Sequence, residues 1–184
     1  MTYQIFKAVN ASVISSSFAL SAMAAPQDFH NGSVIAEFGK VASIDADMKI
    51  PKRAKFKVAF DTVKAAKPGE LNKTLNAAAR FLNMHGEAGV AEKNMKLAIV
   101  FHGGASIELT NHARYGEKHN GAENANAALI KALTDKGVRV ILCGQSAAYH
   151  RITKDSLLPS VEIALSAMTA HALLQQSGYT INPF

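Results

Sequence analysis

The stretch MKLAIVFHGG, residues 95–104, is apolar on both faces from Leu97 to Phe101 and is stopped by a pair of glycines. A strand with one face in water alternates apolar and polar residues, whereas a parallel strand buried on both faces reads as a continuous apolar run. The stretch therefore predicts a central strand of a parallel sheet, with helices packed on both sides of it.

Strand-like and helix-like stretches alternate along most of the remaining chain. Strands are predicted at FKVAFD (56–61), VRVIL (138–142), VEIAL (161–165) and YTIN (179–182). Helices are predicted, from apolar residues at helical spacing, within residues 69–89, 123–137, 145–152 and 166–178. Such alternation favours right-handed crossovers and a parallel sheet. The sequence therefore predicts an α/β fold, a three-layer α/β/α domain with a mainly parallel sheet of about five strands.

The first 24 residues have the composition of a signal peptide. Lys7 is followed by an apolar run interrupted by serines, and Ala22-Met23-Ala24 fits the small-residue pattern of a cleavage site. A membrane anchor is disfavoured, because a spanning helix needs about 20 mostly apolar residues. We expect a signal peptide over residues 1–24, a peripheral N-terminal segment over residues 25–54 and the α/β domain over residues 55–184. A signal peptide also predicts export to the periplasm, with no membrane association after its removal.

The formal net charge of +6 does not indicate a nucleic-acid-binding protein. Lysines and arginines are scattered along the chain, and no dense basic run with interleaved aromatic residues is present in the sequence. We interpret the charge as the basic surface of a soluble domain.

Cys143 is the single cysteine of the chain, so it has no partner for an internal disulfide. In an exported protein an odd cysteine indicates an intermolecular bond, a reactive thiol or a buried inert thiol. Cys143 directly follows a predicted strand and precedes a predicted short helix, whose N-terminus would favour the thiolate. His150 and Arg151 could add positive charge. This position favours a reactive thiol.

The ligand site of an open parallel sheet lies outside the carboxyl ends of its strands. That rule selects Cys143 and His102 as candidate catalytic residues, with Ser166 at the end of the fourth strand. The candidate substrate-binding residues are Gly103, Gly104, Gly144, Gln145, Ser146 and Arg151.

Other chemistries are less favoured by the sequence. A disulfide oxidoreductase would need a Cys-x-x-Cys pair, which the chain lacks, and a cysteine hydrolase would pair Cys143 with His102. A metal site from His102, His112, His119 and Cys143 is disfavoured, because no pair among them has helical ligand spacing. We therefore predict no metal and no cofactor. His171 lies among apolar residues and is interpreted as a buried or interface histidine.

The stretch between the second strand and the next helix is predicted to be a long polar loop over residues 105–122. Loops of this length are usually functional or mobile. It could form a lid over the thiol, a subunit contact or a solvated excursion.

Four stretches together resemble the DsrE/DsrF-like proteins, in particular their exported members. They are FKVAFDTVKAAKPGELNKTLNAAARFLNMH, KLAIVFHGGA, NAALIKALTDKGVRVILCGQSAA and LLPSVEIALSAMTAHALLQQSGY. The order and spacing of all four carry the resemblance, which extends from about Gly39 onward. It implies a three-layer α/β fold with a parallel sheet and assembly into homotrimers, hexamers or related heterohexamers.

The better-known cytoplasmic relatives are sulfur-relay proteins, in which a cysteine at this strand end carries sulfur as a persulfide and passes it to a partner. The match CGQSAAYHR assigns that role to Cys143. The leading hypothesis is a periplasmic homo-oligomer that carries or transfers sulfane sulfur, as a sulfurtransferase or a carrier, with donor or acceptor proteins as partners. The alternative is a non-enzymatic oligomeric small-molecule or metal-binding module with a structural cysteine.

Overall fold

The computed structural model describes residues 29–51 and 53–182. The predicted signal peptide over residues 1–24 lies outside the described residues, as does the start of the peripheral segment. Within the described part of the chain, none of the helices has the length and hydropathy needed to cross a membrane.

Five strands form one parallel sheet. They are β1 (Phe56–Thr62), β2 (Met95–Phe101), β3 (Arg139–Cys143), β4 (Val161–Ala164) and β5 (Thr180–Asn182), in the spatial order β4-β3-β2-β1-β5. All four neighbouring pairs are parallel. β2 is the central strand, and its residues from Leu97 to Phe101 are buried on both faces. The predicted sheet is confirmed.

Helices cover both faces of this sheet. They are α1 (Lys73–Glu87), α2 (His112–Lys118), α3 (Ala127–Asp135), α4 (Gly144–His150) and α5 (Ala167–Gln176). α1 and α3 pack on the face that carries Phe60, Ile99 and Leu142. α5 packs through Ala170 and Leu174 on the opposite face, here called the α5 face. Because side chains alternate along a strand, each strand sends every second residue to α5.

The peripheral N-terminal segment folds back on α1 through one buried amide. Asn83 is 0 % exposed, and its Oδ1 accepts from the backbone N–H groups of Val34 and Ile35 at 3.1 and 2.8 Å. Its Nδ2 donates to the carbonyl oxygens of Ile35, Phe38 and Gly39 at 2.9–3.0 Å. A polar side chain buried this deeply needs such partners. The Asn83 side chain therefore attaches this segment to α1 by hydrogen bonds to its main chain.

The prediction of a long polar loop over residues 105–122 is wrong. Residues Gly103–Leu109 form a 3₁₀ helix, and α2 follows with Asn111 Oδ1 accepting from Arg114 N at 3.0 Å. Leu109 and Tyr115 are buried in the core. Leu109 and Tyr115 are not spaced at a regular helical period, so the mostly polar sequence did not predict these helices.

Glu108 lies at 0 % exposure beneath the N-termini of α1 and α3. Its carboxylate accepts from Ala66 N at 2.8 Å, from Asn72 Nδ2 at 2.6 Å and from Asn126 Nδ2 at 3.2 Å. Burial raises the pKa of Glu108 more than these hydrogen bonds lower it, so the pKa lies above its ordinary value. Asn72 also caps α1 through Thr74 N at 2.9 Å. The buried carboxylate therefore joins the starts of two helices.

Candidate functional site at the carboxyl ends of the strands

A cavity of about 360 Å³ opens at the carboxyl ends of β1, β2 and β3 on the α5 face. It is lined by Asp61, His102, Cys143, Gln145, Ser146, Ser166, Ala167, Met168 and His171. The register explains the convergence: Phe101 pairs with Leu142, so His102 and Cys143 follow that pair on adjacent strands. The predicted edge of the sheet therefore carries a cavity that contains the cysteine.

Cys143 is the last residue of β3 and the N-cap of α4. Its side chain is buried, with 5 % of the residue exposed. The hydroxyl of Ser146 and the backbone N–H groups of Ser146, Ala167 and Gln145 are the donor groups around the sulfur that favour its charged form, although the thiol does not cap α4 through a hydrogen bond. Burial raises the pKa of the Cys143 thiol, but these donors outweigh burial, and the net pKa lies below its ordinary value. The site is built to hold a negatively charged sulfur.

Ser146 connects the cysteine to the loop that follows β2. Its Oγ accepts a hydrogen bond from Gly103 N at 3.0 Å, which leaves the hydroxyl hydrogen available for the sulfur. Gly103 has φ +54°, and a Cβ there would lie 2.9 Å from Val63 Cγ2. Glycine at position 103 thus permits the turn that aims this N–H at Ser146.

Gly144 allows α4 to start close to the end of β4. A Cβ at this position would lie 2.6 Å from the carbonyl oxygen of Ala164, which is too close for any side chain. Gln145 Nε2 donates to Leu165 O at 3.2 Å and holds the same two segments together. The CGQS sequence therefore places the thiol between α4 and the start of α5.

Asp61 joins two imidazoles beside the cysteine. Its Oδ2 lies 3.0 Å from His102 Nε2 and its Oδ1 lies 2.8 Å from His171 Nε2. Burial raises the pKa of Asp61, but the hydrogen bonds and positive charge of His102 and His171 outweigh it, so the pKa lies below its ordinary value. The three side chains link β1, β2 and α5.

The structure brings together five of the nine predicted site residues. His102, Cys143, Gln145, Ser146 and Ser166 line the cavity. The other four candidates, Gly103, Gly104, Gly144 and Arg151, are not among its lining residues. Gly103 and Gly144 act on its shape, as described, and Arg151 follows α4 at the end opposite Cys143, with φ +54°.

Sequence reasoning missed Asp61 and gave His171 only a packing role. Asp61 lies near the end of β1, so the strand-end rule that selected His102 and Cys143 could have selected it as well. His171 keeps 16 % side-chain exposure and is paired, as expected of a buried histidine. Its partner is 110 residues away in sequence, and no spacing pattern indicates such a pair.

Among residues 29–51 and 53–182, no group of three or more histidine, cysteine, aspartate or glutamate side chains is arranged to hold an ion. Of the candidate ligands considered in the sequence, His102 directs its Nε2 at Asp61 Oδ2.

Comparison with known proteins identifies the family. The model of the DsrE/DsrF-like family matches residues 55–183. The chain belongs to the DsrE/DsrF-like family. The match covers the whole sheet and the Cys143 site, and it begins where the peripheral segment ends. The resemblance to the DsrE/DsrF-like family noted in the sequence is confirmed over these residues.

Two solved structures have a similar fold. MTH1491, a protein of unknown function from Methanobacterium thermoautotrophicum, is 14 % identical, with a TM-score of 0.52 over 71 % of this chain and 100 % of that chain. The ychN protein from E. coli is 20 % identical, with a TM-score of 0.50 over 70 % of this chain and 99 % of that chain. At these identities the likeness shows the DsrE/DsrF-like fold alone. The comparison with curated proteins gives no match.

Proposed function

We propose that this protein carries or transfers sulfane sulfur as a persulfide on Cys143. The observation that carries the proposal is the set of four hydrogen-bond donors around the sulfur, which lowers the pKa of the thiol. A thiolate is the form that attacks sulfane sulfur. Membership of the DsrE/DsrF-like family, which includes sulfur-relay-type proteins, supports the same chemistry.

The reaction needs no oxidant. With thiosulfate as donor, the Cys143 thiolate attacks the sulfane sulfur and forms a new S–S bond. The original S–S bond breaks, and sulfite leaves with its electron pair, which leaves a Cys143 persulfide anion. The persulfide keeps the negative charge of the thiolate, now mainly on the outer sulfur, about 2 Å from Sγ.

The proposal also covers the cellular compartment and the binding partners of the protein. The signal-peptide composition of residues 1–24 supports a periplasmic protein. A homo-oligomer, as a trimer or hexamer, and a separate sulfur donor or acceptor protein are the partners implied by the family resemblance.

The test is to incubate the protein separately with thiosulfate and with polysulfide and to measure its intact mass. We expect a gain of one sulfur atom that a reductant removes and that Cys143→Ser abolishes. Ser156→Ala is a matched control, because its hydroxyl donates to Thr153 O in a turn outside the cavity lining. An unmodified wild-type mass under both conditions would exclude the carrier function.

A second candidate is a non-enzymatic binding module in which Cys143 only packs. The 5 % exposure of Cys143 favours it. Alkylation of the folded protein separates the two candidates, since a packed thiol reacts only when the protein opens. A rate for folded protein close to that in denaturant supports the carrier, whereas modification only after unfolding supports the packed thiol.

A further inference from the structure

The groups that lower the pKa of the Cys143 thiol are the Ser146 hydroxyl and backbone N–H groups, and the His102–Asp61–His171 arrangement is not among them. It nevertheless lines the same cavity. Two imidazoles that share one carboxylate form a proton-handling arrangement, since a carboxylate fixes the tautomer of a histidine and stabilises its protonated form.

The hydrogen bonds fix which nitrogen of each ring carries a proton. Asp61 is acceptor-only when ionised, and it contacts Nε2 of both rings. Each neutral ring therefore has its hydrogen on Nε2 and a lone pair on Nδ1. Among the described residues, Nδ1 of His102 has no hydrogen-bond partner, while Nδ1 of His171 is buried without one.

The two rings differ in access to the cavity. The His102 side chain is 31 % exposed and that of His171 is 16 % exposed. His102 is thus the ring whose Nδ1 can reach a molecule in the cavity, whereas His171 holds the second oxygen of Asp61. Because His171 on α5 holds Asp61 Oδ1, Asp61 Oδ2 stays oriented toward His102.

We infer that His102 exchanges a proton with the thiol that delivers or receives sulfur at Cys143, and that Asp61 and His171 are positioning residues for His102. The inference rests on the proposed sulfur transfer. It adds His102 as a residue that contacts the sulfur donor or acceptor, and Asp61 and His171 as residues that act through His102.

The proton is required by the chemistry of transfer from a hydropersulfide. The Cys143 thiolate attacks the terminal sulfur of R–S–SH, an S–S bond to Cys143 forms, and the original S–S bond breaks with its electron pair on RS⁻. The His102 imidazolium then protonates RS⁻ and becomes a neutral ring whose remaining hydrogen, on Nε2, is held by Asp61. In the reverse direction His102 removes the proton of an acceptor thiol, which attacks the outer sulfur and releases the Cys143 thiolate.

The charged groups around His102 are few. The titratable residues in the cavity lining are Asp61, Cys143 and His171, and none of the described lining residues is lysine or arginine. Asp61 also borders a neighbouring cavity lined by Lys64, Lys67, Glu70 and Lys73. Asp61 is therefore the one carboxylate in the lining that stabilises an imidazolium at position 102.

The test compares the transfer of sulfur from the loaded protein to cysteamine in wild type and in Asp61→Asn. The amide can accept from only one ring, and it carries no charge to stabilise the imidazolium. We expect transfer to slow by about 100-fold, in line with general acid–base catalysis. His171→Phe should have a smaller effect of the same kind, and His171→Gln, which retains an N–H donor, should restore part of the rate.

A second readout is independent of activity. Nitrogen-15 spectra of the histidine rings should show the Nε2–H tautomer for His102 in the wild type and a mixture in Asp61→Asn. Variants that load normally and transfer sulfur at the wild-type rate and pH profile would overturn this inference alone. A wild type that never acquires sulfur would overturn the proposed function and this inference with it. If Asp61→Asn does not fold, the transfer rates of His171→Phe and His171→Gln and the histidine tautomer in the wild-type spectrum test the inference instead.

Discussion

A single hydroxyl links the reactive sulfur to the rest of the sheet edge. Ser146 Oγ accepts from Gly103 N, which orients the hydroxyl, and that hydroxyl helps to lower the pKa of Cys143. A donor that is already oriented stabilises a thiolate without the ordering cost of a free side chain. For the reactivity of the site, the decisive property of a single residue is whether the Cys143 sulfur is charged.

Replacement of Ser146 by alanine should raise the pKa of Cys143, because one of its donors is lost while burial remains. A hydrogen bond to a charged group contributes about 1.5–3 kcal/mol, so alkylation with iodoacetamide at neutral pH should slow by about tenfold or more. The pH profile should move to higher pH, and the rates should converge in alkaline solution.

Ser156→Ala is the matched control for this measurement and should leave the profile unchanged. A Ser146→Ala protein with the wild-type profile would show that the backbone donors alone determine the pKa. Slower alkylation at every pH, including alkaline pH, would instead indicate a change in access to the sulfur.

At the scale of elements, the buried Glu108 carboxylate holds the starts of α1 and α3 together. All three of its partners are N–H donors. Asn72 cannot reverse its amide to help a substituted side chain, because its Oδ1 caps Thr74 N. The junction therefore requires an acceptor at both carboxylate oxygens.

Glu108→Gln should lower the free energy of unfolding at neutral pH by about 1–3 kcal/mol, since the new amide places a donor against a donor in the interior. The raised pKa of Glu108 sets the pH dependence. Its contribution is fully present below the unfolded-state pKa and is lost as the pH rises through the folded-state pKa. A protonated carboxyl keeps acceptor capacity on both oxygens, which the amide nitrogen of glutamine lacks, so the advantage of the wild type over the variant should grow as the pH falls from neutral.

Urea unfolding followed by circular dichroism at several pH values measures both effects. Glu37→Gln, at an exposed position of the N-terminal segment, is the control and should unfold like the wild type. An unchanged or more stable Glu108→Gln protein would contradict the requirement for two acceptors.

Elements were easier to predict from the sequence than the contacts between them. The continuous apolar run of β2 and the strand-end position of Cys143 are local patterns, and both predicted the structure correctly. The pairing of Asp61 with His171 depends on how α5 returns over β1, which no local pattern encodes. The loop prediction for residues 105–122 was wrong because the local pattern is misleading there. The segment is mostly polar, yet its irregularly spaced Leu109 and Tyr115 are core residues.

At the scale of the whole molecule, the α5 face has an incomplete cover. Leu165, Met168 and Leu173 are 73 %, 80 % and 57 % exposed. Met168 also lines the Cys143 cavity. Large apolar side chains at this exposure are typical of interaction surfaces, and a subunit contact that includes Met168 would adjoin the reactive sulfur.

We expect the purified protein to be a homo-oligomer, a trimer or a hexamer, by light scattering. Leu165→Asp and Leu173→Asp together should shift it toward the monomer, because a charge in an apolar contact is unfavourable. Met48→Asp changes another exposed apolar residue, at 88 % exposure in the N-terminal segment, and should leave the mass unchanged. A monomeric wild type, or an unaltered mass in the double variant, would refute this assembly.

The attachment of residues 29–41 through Asn83 has a consequence for protein engineering. Asn83 recognises main-chain groups at four positions and reads no side-chain identity. Gly32 and Gly39 are the fixed points, because a Cβ would collide with Asn83 at the first and with the α1 backbone at the second. The exposed residues between these glycines, Ser33, Ala36 and Glu37, are free of that requirement. Substitutions at these three positions should therefore leave the attachment of the segment intact, whereas Val34, Ile35 and Phe38 must stay apolar because they pack against the core.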